Sequence, residues 1–341
     1  MKKFLITKDM NIQQALIKLD ESMGLGLIVV DELNKLHGTI TDGDIRRAIS
    51  AGLHLDSTID QIMFRSPKTA EYNTPDIELR KLTNDHRIKL IPIIKDGIVV
   101  DVYTVDLEET KDIPVVLMAG GLGTRLGHLT KDCPKPMLDV AGKPVLHRII
   151  EKFTRVGFRK FYISVNFKAE MIEDYFKDGS DFGCEIKYLK EEKRMGTAGS
   201  LSLLPGNLKG PLVIANGDLL TLVDFRRLVS FHQQHQAPMT ICTRKYEFQV
   251  PFGVVKVNDG FVQSIDEKPT QVFNVSAGVY VINANVLRLI PNDDYFDMPS
   301  LIEKVMSSGE KTCCFPMVEQ WIDIGQVSDL DYARSVYGES K

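Results

Sequence analysis

The sequence predicts an α/β protein: a mixed, mostly parallel sheet with helices on both faces, preceded by a smaller pair of α/β repeats. Three observations carry this expectation. Strand-like apolar runs alternate with helical patterns from residue 113 onward. Residues 1–110 repeat themselves loosely with a period of about 64 residues. Between the two lies DLEETKDIP, 106–114, a polar stretch ending in proline and the best linker candidate in the chain. The expected division is 1–57, 58–110 and 113–341.

In the first part, NIQQALIKLDESMGLGLIVVD (11–31) and PDIELRKLTNDHRIKLIPIIKD (75–96) each read as an amphipathic helix followed by a β-rich run. A unit that short pairs poorly alone, so two copies packed face to face are expected. The second part opens with IPVVLM (113–118), apolar enough for a strand buried on both faces. A glycine-rich loop, a helix through 144–157, strand FYISVNF, helix AEMIEDYF, strand EIKYLK, helix TAGSLSLL and strand PLVIANGD follow in turn. The later β-rich runs PMTICTRKY, FGVVKV, VQSIDEKP and SAGVYVIN predict an added, partly antiparallel layer roofing a site at the strand ends.

The 341 residues carry 42 Lys/Arg against 46 Asp/Glu, a net charge of −4, which argues against nucleic-acid and anionic-membrane partners. The charge is uneven: 15 basic and 19 acidic residues lie in 1–112, and 27 of each in 113–341. No stretch approaches the roughly 18 apolar residues of a membrane span, and Lys8 and Asp9 end the first apolar run too early for a signal peptide. Five cysteines, with no Cys-x-x-Cys spacing, point to a reducing, cytoplasmic setting; Cys313 and Cys314 are expected inside a buried strand. The seven histidines form no metal spacing.

The chemistry concentrates in VLMAGGLGTRLGHLTKDCPKPMLDVAGKPVL, 116–146. Gly120, Gly121, Gly123 and Gly127 make a loop whose backbone N–H groups can approach a phosphate closely. No Gly-Lys-Ser/Thr follows, which excludes the mononucleotide P-loop. The third glycine of the dinucleotide fingerprint would fall on Leu126. Arg125 and Lys135 beside such a nest imply an anion.

GGLGTR (120–125) followed by PKP (134–136) resembles the signature of the sugar-1-phosphate nucleotidyltransferases, or nucleotide-sugar pyrophosphorylases. Further stretches recur in that family's order: EEKRMGTAGSL (191–201), NGD (216–218), DEKP (266–269), SAGVYV (276–281) and WIDIG (321–325). The resemblance spans about 113–338 and implies a Rossmann-like nucleotidyltransferase fold. It also implies a reaction: the phosphate of a sugar 1-phosphate attacks the α-phosphorus of a nucleoside triphosphate, and pyrophosphate leaves. Such a transfer needs alignment and charge stabilisation rather than a covalent intermediate.

On that resemblance Arg125 holds the β- and γ-phosphates and Lys135 meets the α-phosphate, while Met118, Ala119, Gly120, Gly121, Gly123, Thr124, Gly196 and Asn216 contact the nucleotide. Asp218 and Asp323 are the implied carboxylates for Mg²⁺. Glu267, Lys268, Asn274 and Gly278 are the implied sugar-site residues. A catalytically silent homologue would have lost Arg125, Lys135, Asp218 or Asp323, and all four stand. Guanine presents two adjacent donors that one carboxylate can accept, so Glu191 or Glu192 favours GTP, with UTP, CTP or dTTP and a mannose or heptose phosphate as alternatives.

GTITDGDIRRAI (38–49) resembles the ribose-binding junction of cystathionine-β-synthase (CBS) repeats, through Gly38, Thr41 and Asp44. The second copy has Asp101 and Leu107 at the glycine and aspartate places. A regulatory nucleotide at the first repeat, or a purely structural module, follows. So does a homo-oligomer, because paired CBS repeats commonly associate. With this module before the transferase part, the chain resembles the glucosamine- or N-acetylglucosamine-1-phosphate guanylyltransferases of legionaminic acid synthesis. If the module only regulates, residues 112–341 are expected to keep the chemistry alone.

Overall fold

A computed structural model describes residues 1–22, 24–86, 88–104 and 110–338. Its centre is a seven-stranded sheet, ordered Glu185–Lys190, Lys160–Val165, Pro114–Met118, Pro211–Asn216, Thr270–Asn283, Met239–Gln249 and Thr312–Pro316. The first four strands are parallel. Thr270–Asn283 runs antiparallel to both its neighbours, and Thr312–Pro316 lies parallel at the edge. The strand Pro114–Met118 is apolar throughout because both faces are covered: Val115 and Leu117 enter one core, Val116 the other.

Helix Val145–Arg155 crosses from Pro114–Met118 to Lys160–Val165. It buries Val145, Leu146, Ile149, Ile150 and Phe153 in one stripe. Phe153 stacks on Phe225 with ring centroids 3.7 Å apart. Ala169–Phe176 makes the next crossover. The helix expected at TAGSLSLL is instead a 3₁₀ turn, Gly199–Leu203. Gly199 lies so close to the Asp294 carbonyl that a Cβ would approach it to 2.6 Å, and Pro205 follows at once, so the turn cannot lengthen. Cys313 and Cys314 also depart from expectation. Their strand is the sheet edge, which leaves Cys313 half-buried and Cys314 exposed.

The roof is formed by the outer halves of Met239–Gln249 and Thr270–Asn283 and by the hairpin Val254–Asn258/Phe261–Asp266. The N-terminal part holds two three-stranded sheets of the same plan, each a short parallel strand beside an antiparallel pair. Helices Ile12–Glu21 and Asp76–His86 link the first two strands of each. Phe4, Leu25, Ile28 and Val30 of the first copy share a core with Leu90 and Val99 of the second, so the two pack together as the repeat predicts. Leu107 and the linker residues 106–109 lie outside the described residues. Helix Asp42–Ser50 continues the first copy onto the large domain, packing on Thr312–Pro316 and on helix Phe225–His235. No helix among the described residues is long and apolar enough to cross a membrane.

Candidate active site

The parallel strands deliver their carboxyl ends to one edge, where ligands bind in sheets of this kind. The Ala119 N–H donates to the Ser164 carbonyl (3.0 Å) and the Gly217 N–H to the Met118 carbonyl (2.8 Å), which holds three strand ends together. The glycine loop starts there. Gly121 has open space beside it, and Gly123 sits at φ +63° with Thr130 and the Lys135 stem packed against it. A Cβ at Gly123 would come within 2.9 Å of Thr130 Cγ2, so the close approach requires glycine. Thr124 and Arg125 are exposed at the start of the 3₁₀ segment Thr124–Thr130, and His128 is exposed within it.

Lys135, only 7 % exposed, forms an ion pair with Asp218 Oδ2. The other oxygen, Asp218 Oδ1, is buried and has no hydrogen-bond partner among the described residues. Strand Leu219–Thr221 then pairs antiparallel with Trp321–Asp323, placing Leu219 opposite Asp323, while the Ile324 N–H donates to the Asp218 carbonyl (3.2 Å). The two carboxylates therefore share one corner. Burial, and next the charge of Asp218, push the Asp323 carboxyl above its ordinary value, with Lys135 and Arg125 opposing. The Arg125 guanidinium lies beside Gly325, 3.5 Å from where a Cβ would stand. Asp329 fixes that turn by accepting from the N–H groups of Gly325 and Gln326.

Two crowded carboxylates, one with an orphaned oxygen, suit a divalent cation. Among the described residues no group of three or more His, Cys, Asp or Glu side chains could hold a metal alone. A cation at Asp218 and Asp323 would therefore complete its shell with substrate oxygens and water.

Asn216 ends its strand next to Gly278, where a Cβ would come within 2.6 Å of the Asn216 amide; Gly278 has φ +72°. Glu191 lies against the loop, its Oε1 at 2.8 Å from the Cβ position of Gly120. The Ser164 hydroxyl donates to Glu191 Oε1 and the Met195 N–H to Oε2 (3.3 Å), so both carboxylate oxygens are already engaged; Glu192 is exposed. Gly196, at φ +76°, is pressed against Phe296 and Asp297, so packing alone demands glycine there.

The structure thus brings together Met118, Ala119, Gly120, Gly121, Gly123, Thr124, Arg125, Lys135, Glu191, Asn216, Asp218, Gly278 and Asp323. Glu267 and Lys268 are exposed on the roof, where Gln249 donates to the Lys268 carbonyl (3.3 Å), and among the described residues no hydrogen bond or ion pair joins them to the carboxylate corner. Asn274 lies four residues, about 13 Å, along its strand from Gly278. It lines a separate cleft of about 790 Å³ between residues 49–56 and the roof. Thr41 and Asp44 form a capping box at helix Asp42–Ser50, and Arg47 also pairs with Asp44, so the Asp44 carboxylate is occupied. A cleft of about 130 Å³ beside Thr41 includes Lys68 and, from the large domain, Arg227. Sequence reasoning missed Ser164, whose only signal was its place at a strand's carboxyl end, and Asp329, three residues before Tyr332 in the last helix.

A model of the nucleotidyl transferase family matches residues 114–339, and a CBS domain model matches residues 1–51. Among curated relatives, a mannose-1-phosphate guanylyltransferase catalytic subunit beta of Drosophila pseudoobscura pseudoobscura is 32% identical over 65% of this chain and 62% of its own length. A mannose-1-phosphate guanylyltransferase of Mycobacterium tuberculosis is 29% identical over 65% and 63%. A UTP--glucose-1-phosphate uridylyltransferase of Synechocystis is 31% identical over 65% and 62%. The chain thus spans less than two thirds of the length of these relatives. Among solved structures, HddC from Yersinia pseudotuberculosis aligns with a TM-score of 0.53 and 25% identity, over 66% of this chain and 99% of that one. A putative glucose-1-phosphate thymidylyltransferase from Bacillus anthracis shares the fold at a TM-score of 0.55 and 20% identity, over 67% and 96%.

Proposed function

Because this chain belongs to the nucleotidyl transferase family, we propose that it transfers GMP from GTP to a sugar 1-phosphate, giving a GDP-sugar and pyrophosphate. One observation carries the reading: the glycine loop, Arg125 and the Lys135–Asp218 pair converge on the edge that also holds Asp323, Asn216 and Gly278. The loop's N–H groups and Arg125 would bind the leaving β- and γ-phosphates. Lys135 would face the α-phosphate, where negative charge grows as the sugar phosphate oxygen attacks. Asp218 and Asp323 would hold Mg²⁺, whose charge, when bound, offsets that of the phosphates.

GTP is favoured because several relatives are guanylyltransferases and because Glu191 stands at the loop, where each carboxylate oxygen, engaged once by Ser164 or Met195, keeps a second lone pair for a guanine donor. The uridylyltransferase relative makes UTP the competing nucleotide. Glu267 and Lys268 would reach the sugar phosphate from the roof. Residues 1–57 and 58–110 would form the CBS pair, with any regulatory nucleotide near Thr41. The test is pyrophosphate release from each of five NTPs against a panel of sugar 1-phosphates with Mg²⁺. Release with GTP and one hexose or heptose 1-phosphate is expected. Release with UTP or dTTP alone would overturn the base assignment, and no release with any pair would overturn the activity.

A further inference from the structure

Arg46 belongs to the N-terminal module, yet its side chain is 0% exposed and ends inside the large domain. All five of its N–H donors are used. Nε and Nη2 donate to Asp42 (2.9 and 3.1 Å), Nη2 and Nη1 to the two oxygens of Glu319 (2.6 and 3.3 Å), and Nη1 also to the Pro316 carbonyl. Its guanidinium lies 3.9 Å over the Phe315 ring. Arg227 of helix Phe225–His235, equally buried, donates back to Asp42 (3.2 Å) and to Asp20 (2.8 Å).

What this network grips leads straight to the carboxylate corner. Glu319 is followed by Gln320, whose carbonyl accepts from Thr221 Oγ1 (2.9 Å) and the Leu222 N–H (3.0 Å), and then by strand Trp321–Asp323. On the partner strand, Leu219–Thr221 leads to Asp224 and Arg227. The strand following Asp218 and the strand ending in Asp323 are thus each tied, at the end away from the corner, to charges of the N-terminal module. An interface that only glued two bodies together would bury apolar groups at lower cost, since buried ion pairs are often no more stabilising than apolar replacements. A guanidinium with every donor assigned fixes orientation instead, because its fork is planar and rigid.

We propose that Arg46 is a positioning residue for the Asp218–Asp323 pair, acting through Glu319, so that the N-terminal module completes the transfer site rather than only regulating it. This rests on the reading of those two aspartates as the cation-holding pair. The test uses the full-length chain with Mn²⁺ as the probe, bound Mn²⁺ being followed by electron paramagnetic resonance with and without a non-hydrolysable GTP analogue. Arg46→Met and Glu319→Gln are compared with Asp218→Asn and Asp323→Asn, and Arg46→Lys serves as the conservative variant.

Positioning predicts that Arg46→Met and Glu319→Gln weaken Mn²⁺ binding by up to about 10-fold, the lower end of the cost of losing a group bonded to a ligand, because Glu319 acts on Asp323 through four residues of chain. The metal requirement of kcat should rise in parallel while KM for the sugar phosphate holds, and Arg46→Lys should fall between. If the aspartate variants bind Mn²⁺ as the wild type does, the carboxylate reading falls and this proposal with it. If they lose Mn²⁺ while folded Arg46→Met and Glu319→Gln retain wild-type affinity, the carboxylate reading stands and positioning is refuted. Should Arg46→Met not fold, Arg46→Lys and Glu319→Gln decide by the same constant.

Discussion

Lys135→Met separates what Lys135 does for the fold from what it does for the reaction. The side chain is replaced by one of similar length that cannot pair with Asp218. Lys135 and Asp218 are 9% and 22% exposed at their side chains, so solvent screens the pair weakly. Losing one partner of a buried pair costs about 3–5 kcal/mol. Asp218 keeps some solvent access, which favours the lower end, about 3 kcal/mol. At roughly 2–4 °C per kcal/mol for a domain of this size, the metal-free variant should melt about 6–12 °C below the wild type.

Mg²⁺ should then recover more of that loss in the variant than it adds to the wild type, because Asp218 has neither its ammonium partner nor a second hydrogen bond. Turnover should not recover. A cation aimed at the charge growing on the α-phosphate is worth about 10²–10³ in kcat, or about 3–4 kcal/mol. The assays are differential scanning fluorimetry with EDTA or Mg²⁺, and steady-state pyrophosphate release. Near-native kcat would remove Lys135 from the chemistry. A melting deficit indifferent to Mg²⁺ would refute the shared role of Asp218.

Glu191→Gln should lower the preference for GTP over UTP by about 1–3 kcal/mol, while exposed Glu192→Gln changes it little; equal ratios in all three proteins would dismiss Glu191. Asp44→Ala should lower stability by about 1 kcal/mol through loss of the capping box and abolish nucleotide binding at the N-terminal module; calorimetry showing that binding unaltered would leave the module structural. Residues 112–341 alone should melt lower and turn over more slowly than the full chain, since Glu319 and Arg227 lose Arg46 and Asp42; a fully active fragment would return the module to a regulatory role. Burial opposes the charge of Glu319, but Arg46 outweighs it and holds the carboxyl below its ordinary value, so this stabilisation is present above about pH 4.5 and is lost as pH falls through the folded value. The melting gap between wild type and Glu319→Gln should therefore close between about pH 4.5 and lower values, and a gap independent of pH would refute the pairing.

The sheet and the glycine loop at its edge were legible in the sequence because both are local. A five-residue strand buried on both faces must be apolar, and a phosphate nest must be glycine, so Val115–Leu117 and Gly120–Gly123 announce themselves in one stretch. Asp218 and Asp323 are 105 residues apart, yet each was visible at the end of its own short motif. The roof was legible as strands but not as geometry. Strand character does not say how far a ribbon projects, and Glu267 and Lys268 ended on its exposed part.

The interlock was illegible for a different reason. Arg46 lies in IRRAI, where the neighbouring Arg47 is an exposed helix arginine paired with Asp44. Period alone cannot tell which of two adjacent arginines faces inward until the partner surface is known. The difference is large: Arg46 is buried among Asp42, Glu319 and Pro316, three groups that sequence separates by up to 277 residues. A charged residue that deep is sustained only if its partners are all in place, which makes the N-terminal module and the strand leading to Asp323 one unit of packing. The fold therefore ties the Asp218–Asp323 corner to a module whose own cleft, beside Thr41, is also walled by Arg227. Asp42 and Arg227 both line that cleft, and Asp42 pairs with the Arg46 that holds Glu319, so the cleft and the strand leading to Asp323 border one network of charges.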